Sequence, residues 1–254
     1  GENEPRTIVC GAPNIAAGQT VAVALPGAVM PDGTKLGEAK LRGIKSSGMV
    51  LAEDELGIGG EHDGIMVLGD ELAAGTPLAE VFAISSEVLE PELTPNRGDC
   101  GGLYGIAREL HAATGAALSP PPWESDPGAA TIGSVPAGIS VTVEDVALCP
   151  RFTARVFENV TVGPSPMWLK ARLAAAGQRS ISNVVDITNY VMLVSGHPLH
   201  AFDLDQISGG ELTVRAARDG EKLTTLDGEE RILDADICLI ADADGPTSLA
   251  GVMG

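Results

Sequence analysis

Short apolar segments separated by turn signals dominate residues 1–85. Pro31-Asp32-Gly33 favours a turn, and apolar runs follow at residues 48–51 and 65–68. One earlier segment alternates apolar with small residues, as a half-buried strand does, through Val21, Val23 and Leu25. Short strands at this spacing predict a small closed β-barrel over the whole region.

A helical pattern begins in the next region. Apolar side chains recur at helical spacing from residue 103 to residue 113, and Gly115 stands where a C-terminal cap is needed. In the preceding loop Arg97 and Asp99 can pair, and Asp99 can cap the helix. Residues 87–93 are compatible with a strand.

A stretch rich in Pro, Gly and Ser, residues 118–138, marks the clearest boundary in the chain. We therefore separate a second region at residues 86–138 from a third at residues 139–254. Alternating segments in the third region predict strands at residues 141–146, 151–160, 211–217 and 237–241, and Asp227-Gly228 predicts a hairpin.

Two helices are predicted in the same region. The first begins with Ser165 as its cap and Pro166 at its first position, and Gly177 follows its end. The second runs over residues 182–195 and stops at Gly196, although its Val, Ile and Thr residues are poor helix formers. The fold class is therefore α+β and multidomain.

The net charge of the chain argues against a general nucleic-acid coat protein. The chain has 254 residues with 16 Lys and Arg against 35 Asp and Glu, and a net charge of −19 repels nucleic acid over the surface as a whole. Residues 151–183 depart from this background with five basic residues. A second basic stretch supplies the candidate RNA-binding residues Lys35, Lys40, Arg42 and Lys45. Both stretches remain open to two interpretations, ordinary solvated faces or contacts with a polyanion.

Composition further limits the class of protein to which the chain can belong. An apolar content of 44% indicates a folded globular protein. The four cysteines form no CxxC or CxxH pair, which predicts neither a zinc site nor a disulfide scaffold and is typical of the cytosol. No apolar stretch approaches the ~20 residues that cross a bilayer, and the N-terminal residues do not form a signal-peptide pattern. No motif for binding ATP is present.

Candidate functional side chains are most concentrated in the segment Thr188-Asn189-Tyr190 and in His197 and His200, which follow it. Hydroxyl, amide and imidazole groups are expected there at a helix end and in the following turn. Two histidines at i and i+3 can bind a metal, but no cysteine is near to complete the ligand set, so we predict no metal. Two interpretations stay open: a pocket where a histidine hydrogen-bonds a ligand or positions water, and a purely structural His200.

Several motifs match a known family in order. IVCGAPNI and KLRGIKSSGMVLAEDELG resemble the oligonucleotide-binding-fold tRNA-binding domain of several synthetases. ELTPNRGDCGGLYGIAREL, NVVDITNYVMLVSGHPLHAFDLDQI, LTTLDGEERIL and SLAGVMG resemble the β subunit of bacterial phenylalanyl-tRNA synthetase. The resemblance covers essentially the whole chain.

The resemblance implies an architecture and identifies the chain as an N-terminal fragment. Residues 1–85 would be an oligonucleotide-binding-fold barrel without its first strands. Residues 86–138 would be part of a small, discontinuous α/β domain plus a linker, and residues 139–254 a mixed α+β editing domain without its C-terminal part. The magnesium-binding carboxylates of the family would lie beyond Gly254.

The resemblance also implies a function. The family enzyme joins two α and two β subunits and uses ATP and magnesium to esterify phenylalanine to tRNA(Phe), with the chemistry on the α subunit. This chain would bind no cofactor itself, would pair with the α subunit in the cytoplasm, and would contact neither membrane nor DNA. The β subunit would hydrolyse wrongly attached tyrosine, because an apolar pocket cannot strongly reject an added hydroxyl.

Site residues follow from the family motifs. Thr188, Asn189 and His200 would form the editing pocket, with His200 bonding the substrate or orienting the attacking water. Ala250 and Gly251 would line the pocket with small groups.

One position departs from the family. His197 stands where the family usually has Gln, which either adds a titratable group beside the pocket or has no effect. Two other functions stay open: a free-standing tRNA-binding protein, which residues 1–85 support, and a non-catalytic scaffold subunit that holds an α partner.

Overall fold

The computed structural model describes residues 4–59, 62–69, 72–82, 87–121, 123–125 and 138–253. The chain divides into two compact units, the first formed by residues 1–92 and 162–190 and the second by residues 93–161 and 191–254. The boundary at residue 85, much of the linker and Gly254 lie outside the described residues, so the domain limits set from the sequence remain predictions.

The first unit contains three short antiparallel strand pairs. They are β1 (Thr20–Val21) with β6 (Val67–Leu68), β2 (Val23–Ala24) with β5 (Met49–Val50), and β3 (Ala39–Leu41) with β4 (Ile44–Ser46). A short helix, α1, spans Leu78–Val81. These strands lie where the sequence predicts a barrel, and closure of the barrel remains a prediction.

Small residues form the buried face of the first strands. Ala22 and Ala24 are 3% and 8% exposed, whereas Val23 and Leu25 are 40% and 41% exposed. Successive residues of a strand point to opposite faces, so the segment is half-buried as expected, with its larger side chains outside. Helix α3 (Met167–Ala175) packs Ala171 into the same core.

The three longer helices end at glycines with left-handed backbone, as predicted. Besides α3 they are α2 (Leu103–Thr114) and α4 (Asn183–Ser195). The glycines that follow the helices have positive φ: Gly115 (71°), Gly177 (74°) and Gly196 (78°). Glycine reaches this conformation without a steric penalty, so these positions define the helix ends.

Two capping predictions are wrong. Ser165 donates its hydroxyl to Asp186 instead of capping α3, whose N-terminal flanking residue is Pro166. Asp99 pairs with Arg97, which confirms that pairing, but it does not cap α2, which is flanked by a glycine. In both cases a side-chain partner competes successfully with the backbone amides.

The second unit is built on a four-stranded sheet in the order β12-β11-β8-β7. Strand β7 (Ser140–Val143) runs parallel to β8 (Glu211–Ala216), and β11 (Cys238–Ala241) pairs antiparallel with β8 and with β12 (Pro246–Leu249). The predicted hairpin is present as β9 (Lys222–Thr224) and β10 (Glu230–Ile232). The fold is mixed α+β.

Two predicted strands are absent. Residues 87–93 and 151–160 form no strand, and β7 ends at Val143, before the predicted limit. A strand requires a neighbour to accept its backbone hydrogen bonds, and neither segment has a ladder partner in the described part of the chain. In the same part of the chain, no helix has the length and apolar character needed to cross a bilayer.

Candidate functional site

Three of the four candidate RNA-binding residues share one hairpin. Lys40 on β3 lies opposite Lys45 on β4, and Arg42 lies in the two-residue turn between the strands. Arg42 and Gly43 have φ values of 47° and 85°, the backbone of a type I′ turn. Lys35 precedes the hairpin in an isolated β-bridge. All four basic side chains are exposed.

The hairpin carries positive charge that the neighbouring Glu38 only partly neutralises. Lys45 forms a 2.8 Å salt bridge with Glu38, and both side chains are more than half exposed. Lys40 and Lys45 form the second pair from the turn, a non-hydrogen-bonded pair whose side chains approach closely on one face. Like charges directly opposite each other are destabilising, so an anion bound between them would relieve the repulsion.

Helix α4 is anchored by a fully buried carboxylate. Asp186 is 0% exposed. It accepts hydrogen bonds from the hydroxyls of Ser165 and Ser180, both at 2.5 Å, and from the amide of Ile181 at 2.8 Å. Burial raises the pKa of Asp186, but these hydrogen bonds outweigh that effect and hold the pKa below its ordinary value. The carboxylate therefore fixes the rotation of the first half of α4.

The same half of α4 bears two of the predicted editing residues. Thr188 and Asn189 are half-buried. The Thr188 hydroxyl donates to the carbonyl of Val185 at 2.7 Å and so is satisfied within its own helix. The side-chain amide of Asn189 has no hydrogen-bond partner among the described residues, which leaves its donors and acceptor for a ligand.

His200 belongs to the second unit. Its exposed ring contacts Phe202 edge to face, with ring centroids 4.6 Å apart. Partial desolvation lowers the pKa of His200 below its ordinary value of 6.5. The imidazole is therefore neutral at pH 7, with one nitrogen that donates and one that accepts. Such a ring can accept a hydrogen bond from water and orient it.

Ala250 and Gly251 also belong to the second unit. Ala250 and Phe202 pack against the same core cluster of Leu212, Val214 and Ile240. Gly251 is exposed with a φ of 72°, and a Cβ there would meet nothing within 4 Å. Ala250 and the ring that contacts His200 thus flank one cluster. The assembly of these residues with Thr188 and Asn189 into one pocket remains a prediction.

His197, the position that departs from the family, lines a cavity of about 350 Å³ in the second unit. Tyr104 and Trp123, whose ring centroids are 5.2 Å apart, and Arg108 line the same cavity. The imidazole therefore stands in a mixed aromatic and polar environment.

The sequence did not reveal a cluster on α3 and α4. The guanidinium of Arg172 lies 5.5 Å from the ring centroid of Trp168 and 5.9 Å from that of Tyr190. Arg172 Nη1 also donates to the Tyr190 hydroxyl at 2.7 Å, and the two rings meet edge to face at 5.6 Å. The i and i+4 spacing of Trp168 and Arg172 was the signal available, because such residues share a helix face.

One acidic group has the composition of a metal site but is occupied by a side chain. Potential ligand atoms of Asp99, Cys100 and Glu109 lie within 4.8 Å of one another. The guanidinium of Arg97 donates to Asp99 at 3.0 and 2.9 Å, to Glu109 at 3.0 Å and to Cys100 Sγ at 3.2 Å. Arg97 thus supplies the positive charge that this group requires.

Two family models match separate parts of the chain. A putative tRNA binding domain matches residues 1–77, and a B3/4 domain matches residues 148–254. Their order agrees with the order of the motifs in the sequence.

Relatives match over the entire length of the chain. The phenylalanine–tRNA ligase beta subunit of Nitratidesulfovibrio vulgaris is 48% identical over 254 residues, which are 100% of this chain and 32% of that protein. The subunit of the same name from Desulfotalea psychrophila is 47% identical over 99% of this chain and 30% of its own length. That from Halalkalibacterium halodurans is 47% identical over 100% and 32%. The chain spans about a third of the length of these relatives.

Proposed function

The chain belongs to the family of phenylalanine–tRNA ligase β subunits, and from this premise we propose that it binds tRNA(Phe) and supports the attachment of phenylalanine to it. The observation that carries the proposal is the 48% identity along the entire chain. In the whole enzyme, two such subunits would join two α subunits in the cytoplasm. ATP and magnesium would serve the α subunit, while this chain would hold neither.

The β3–β4 hairpin is the proposed tRNA contact. Its basic residues lie within the segment that matches the putative tRNA binding domain. The charge of the whole chain opposes RNA, so a local cationic surface must supply the attraction. Lys40, Arg42 and Lys45 would contact phosphates, with Lys35 extending that surface.

The second proposed activity is hydrolysis of tyrosine wrongly attached to the tRNA. Water would add to the carbonyl carbon of the ester, and the bond to the ribose oxygen would break, releasing tyrosine and tRNA with a free ribose hydroxyl. Neutral His200 would accept a hydrogen bond from the attacking water and so orient it. Asn189 would bind the substrate through its amide, Thr188 would help to shape the wall, and Ala250 and Gly251 would leave room for the ester.

Native mass spectrometry of the endogenous protein that carries this chain tests the proposal. We expect a heavy subunit paired two-to-two with a smaller one, in a complex that attaches phenylalanine to tRNA when ATP is supplied. A lone species with the mass of this chain and no such activity would contradict the proposal. Salt-dependent tRNA binding by that lone species would favour a free-standing tRNA-binding protein.

A further inference from the structure

The cluster of Trp168, Arg172 and Tyr190 is more exposed than packing alone requires. Trp168 keeps 50% of its surface in solvent although Arg172 covers one face of its ring. Arg172 is itself exposed. A Trp that only joined two helices would be expected to bury most of its large apolar surface.

Charge is the second observation. Arg172 forms no salt bridge with any residue that the structure describes, and its guanidinium donates a hydrogen bond to the Tyr190 hydroxyl. Arg179, four residues beyond the end of α3, is likewise exposed and without a salt bridge in the described part of the chain. In a chain of net charge −19, guanidinium groups without acidic partners are free to bind an anion.

Aromatic rings beside a planar cation match the chemistry of an unpaired nucleotide. Bases of single-stranded RNA stack on aromatic rings and on guanidinium planes, while arginine also binds the phosphate. A carboxylate-bearing peptide would satisfy Arg172 but would leave the exposed ring of Trp168 unused. A nucleotide uses both parts of the cluster.

The position along α4 indicates which nucleotide is bound. Tyr190 directly follows Asn189 on α4, and consecutive helical residues are about 1.5 Å apart along the axis and rotated by about 100°, so the ring lies beside the predicted pocket residues but on a different face from Thr188. If Thr188 and Asn189 bind the ester at the 3′ end of the tRNA, a ligand on Tyr190 belongs to the nucleotides next to that end.

We propose that Trp168, Arg172 and Tyr190 form a stacking site for an unpaired nucleotide at the 3′ end of tRNA. The site rests on the proposed function, since it presumes that tRNA is bound. It adds a recognition element to the predicted pocket residues: a base stacks on the ring of Trp168, and Arg172 holds the adjoining phosphate.

Tryptophan fluorescence gives the first test, in the full-length natural protein. The emission of Trp168 is obtained by subtracting the spectrum of Trp168→Phe from that of the parent. A tRNA transcript with its unpaired 3′ nucleotides should quench this difference emission, and a transcript trimmed of those nucleotides should not. Trp123→Phe is the matched control, because its removal should leave the quenching unchanged. Equal quenching by the two transcripts, or none, would overturn the site.

Affinity gives the second test. Trp168→Ala should weaken binding of the intact transcript by about 5- to 150-fold, the range expected for loss of one stacked base, and should not change binding of the trimmed transcript. Trp168→Phe should restore most of the affinity, because its ring can still stack. Arg172→Lys should retain only part of the parental affinity, because lysine keeps the positive charge but lacks the planar guanidinium group. Thermal unfolding of each variant shows whether the fold persists.

The outcomes separate the two proposals. If the parent binds tRNA and Trp168→Ala binds both transcripts as the parent does, the stacking site is wrong and the proposed function stands. If the parent binds no tRNA at any salt concentration, both are wrong.

Discussion

The ammonium group of Lys170 contacts both carboxylate oxygens of Glu53, at 2.6 and 2.9 Å, inside the first unit. The two side chains are only 6% and 17% exposed. The residues are 117 positions apart, so the ion pair joins α3 to a loop near the start of the chain. Such a buried pair is costly to break, because removal of one partner leaves a charge without compensation.

Breaking this pair should destabilise the first unit strongly. Lys170→Met should lower the free energy of unfolding by about 3–5 kcal/mol, and the double variant Lys170→Met/Glu53→Gln should recover part of the loss because no buried charge remains. The matched control is Lys222→Met, which breaks a salt bridge to Glu230 whose two side chains are 58% exposed, and it should cost less than about 1 kcal/mol. Urea unfolding measures all three. Similar losses for Lys170→Met and Lys222→Met would contradict the prediction.

A second ion pair predicts how stability depends on pH. Arg215 binds both carboxylate oxygens of Glu221, at 2.9 and 2.7 Å, and this lowers the pKa of Glu221 to about 2. In the unfolded chain, Glu221 has its ordinary pKa near 4.5. Glu221 therefore stabilises the fold fully above pH 4.5, and this contribution is lost as the pH falls towards 2.

Glu221→Gln should flatten the acid limb of the stability curve. The variant should lose about 3–5 kcal/mol at neutral pH, because it leaves the buried Arg215 without its partner, and its stability should change less than that of the parent between pH 4.5 and 2. Chemical unfolding at a series of pH values measures both effects. Glu230→Gln removes an exposed carboxylate and should keep most of the parental slope. If Glu221→Gln kept the parental dependence of stability on pH, the assignment of this dependence to Glu221 would be contradicted.

The helix ends and the second hairpin were predictable because their determinants are local. Gly115, Gly177 and Gly196 end helices through backbone conformations that other residues rarely adopt. Asp227-Gly228 likewise connects β9 and β10.

Features that depend on distant partners were not predictable. Residues 151–160 alternate like a strand, but alternation cannot show whether a partner strand exists. Ser165 has the local context of a helix cap, yet its hydroxyl donates a hydrogen bond to Asp186, 21 residues away.

The same distinction between local determinants and distant partners applies to the candidate site. The basic hairpin was visible as a run of charges between residues 35 and 45. The pairing of Arg172 with Tyr190, 18 residues apart, and of Lys170 with Glu53 depends on how the elements pack. No spacing rule in the sequence relates such residues.

The basic hairpin should determine how salt affects tRNA binding. Lys40→Gln and Arg42→Asn should each reduce affinity and lower the slope of log K against log salt by about 1, because each removes one phosphate contact. Asn suits the positive φ of residue 42, so Arg42→Asn should keep the fold while losing the charge. Lys222→Gln, at an exposed lysine of the second hairpin, is the control. Unchanged slopes in both hairpin variants would exclude this hairpin as the contact.

Hydrolysis of tyrosyl-tRNA(Phe) by the natural complex tests the central claim most directly. His200→Ala should slow hydrolysis by about 100-fold or more while phenylalanine attachment stays at the parental rate, and His197→Gln, the family's usual residue, should hydrolyse normally. Because desolvation lowers the pKa of His200, the parent should retain hydrolysis at pH 7 and lose it only in acid below pH 6.5. Parental hydrolysis by His200→Ala would contradict the account and leave a scaffold role for this chain.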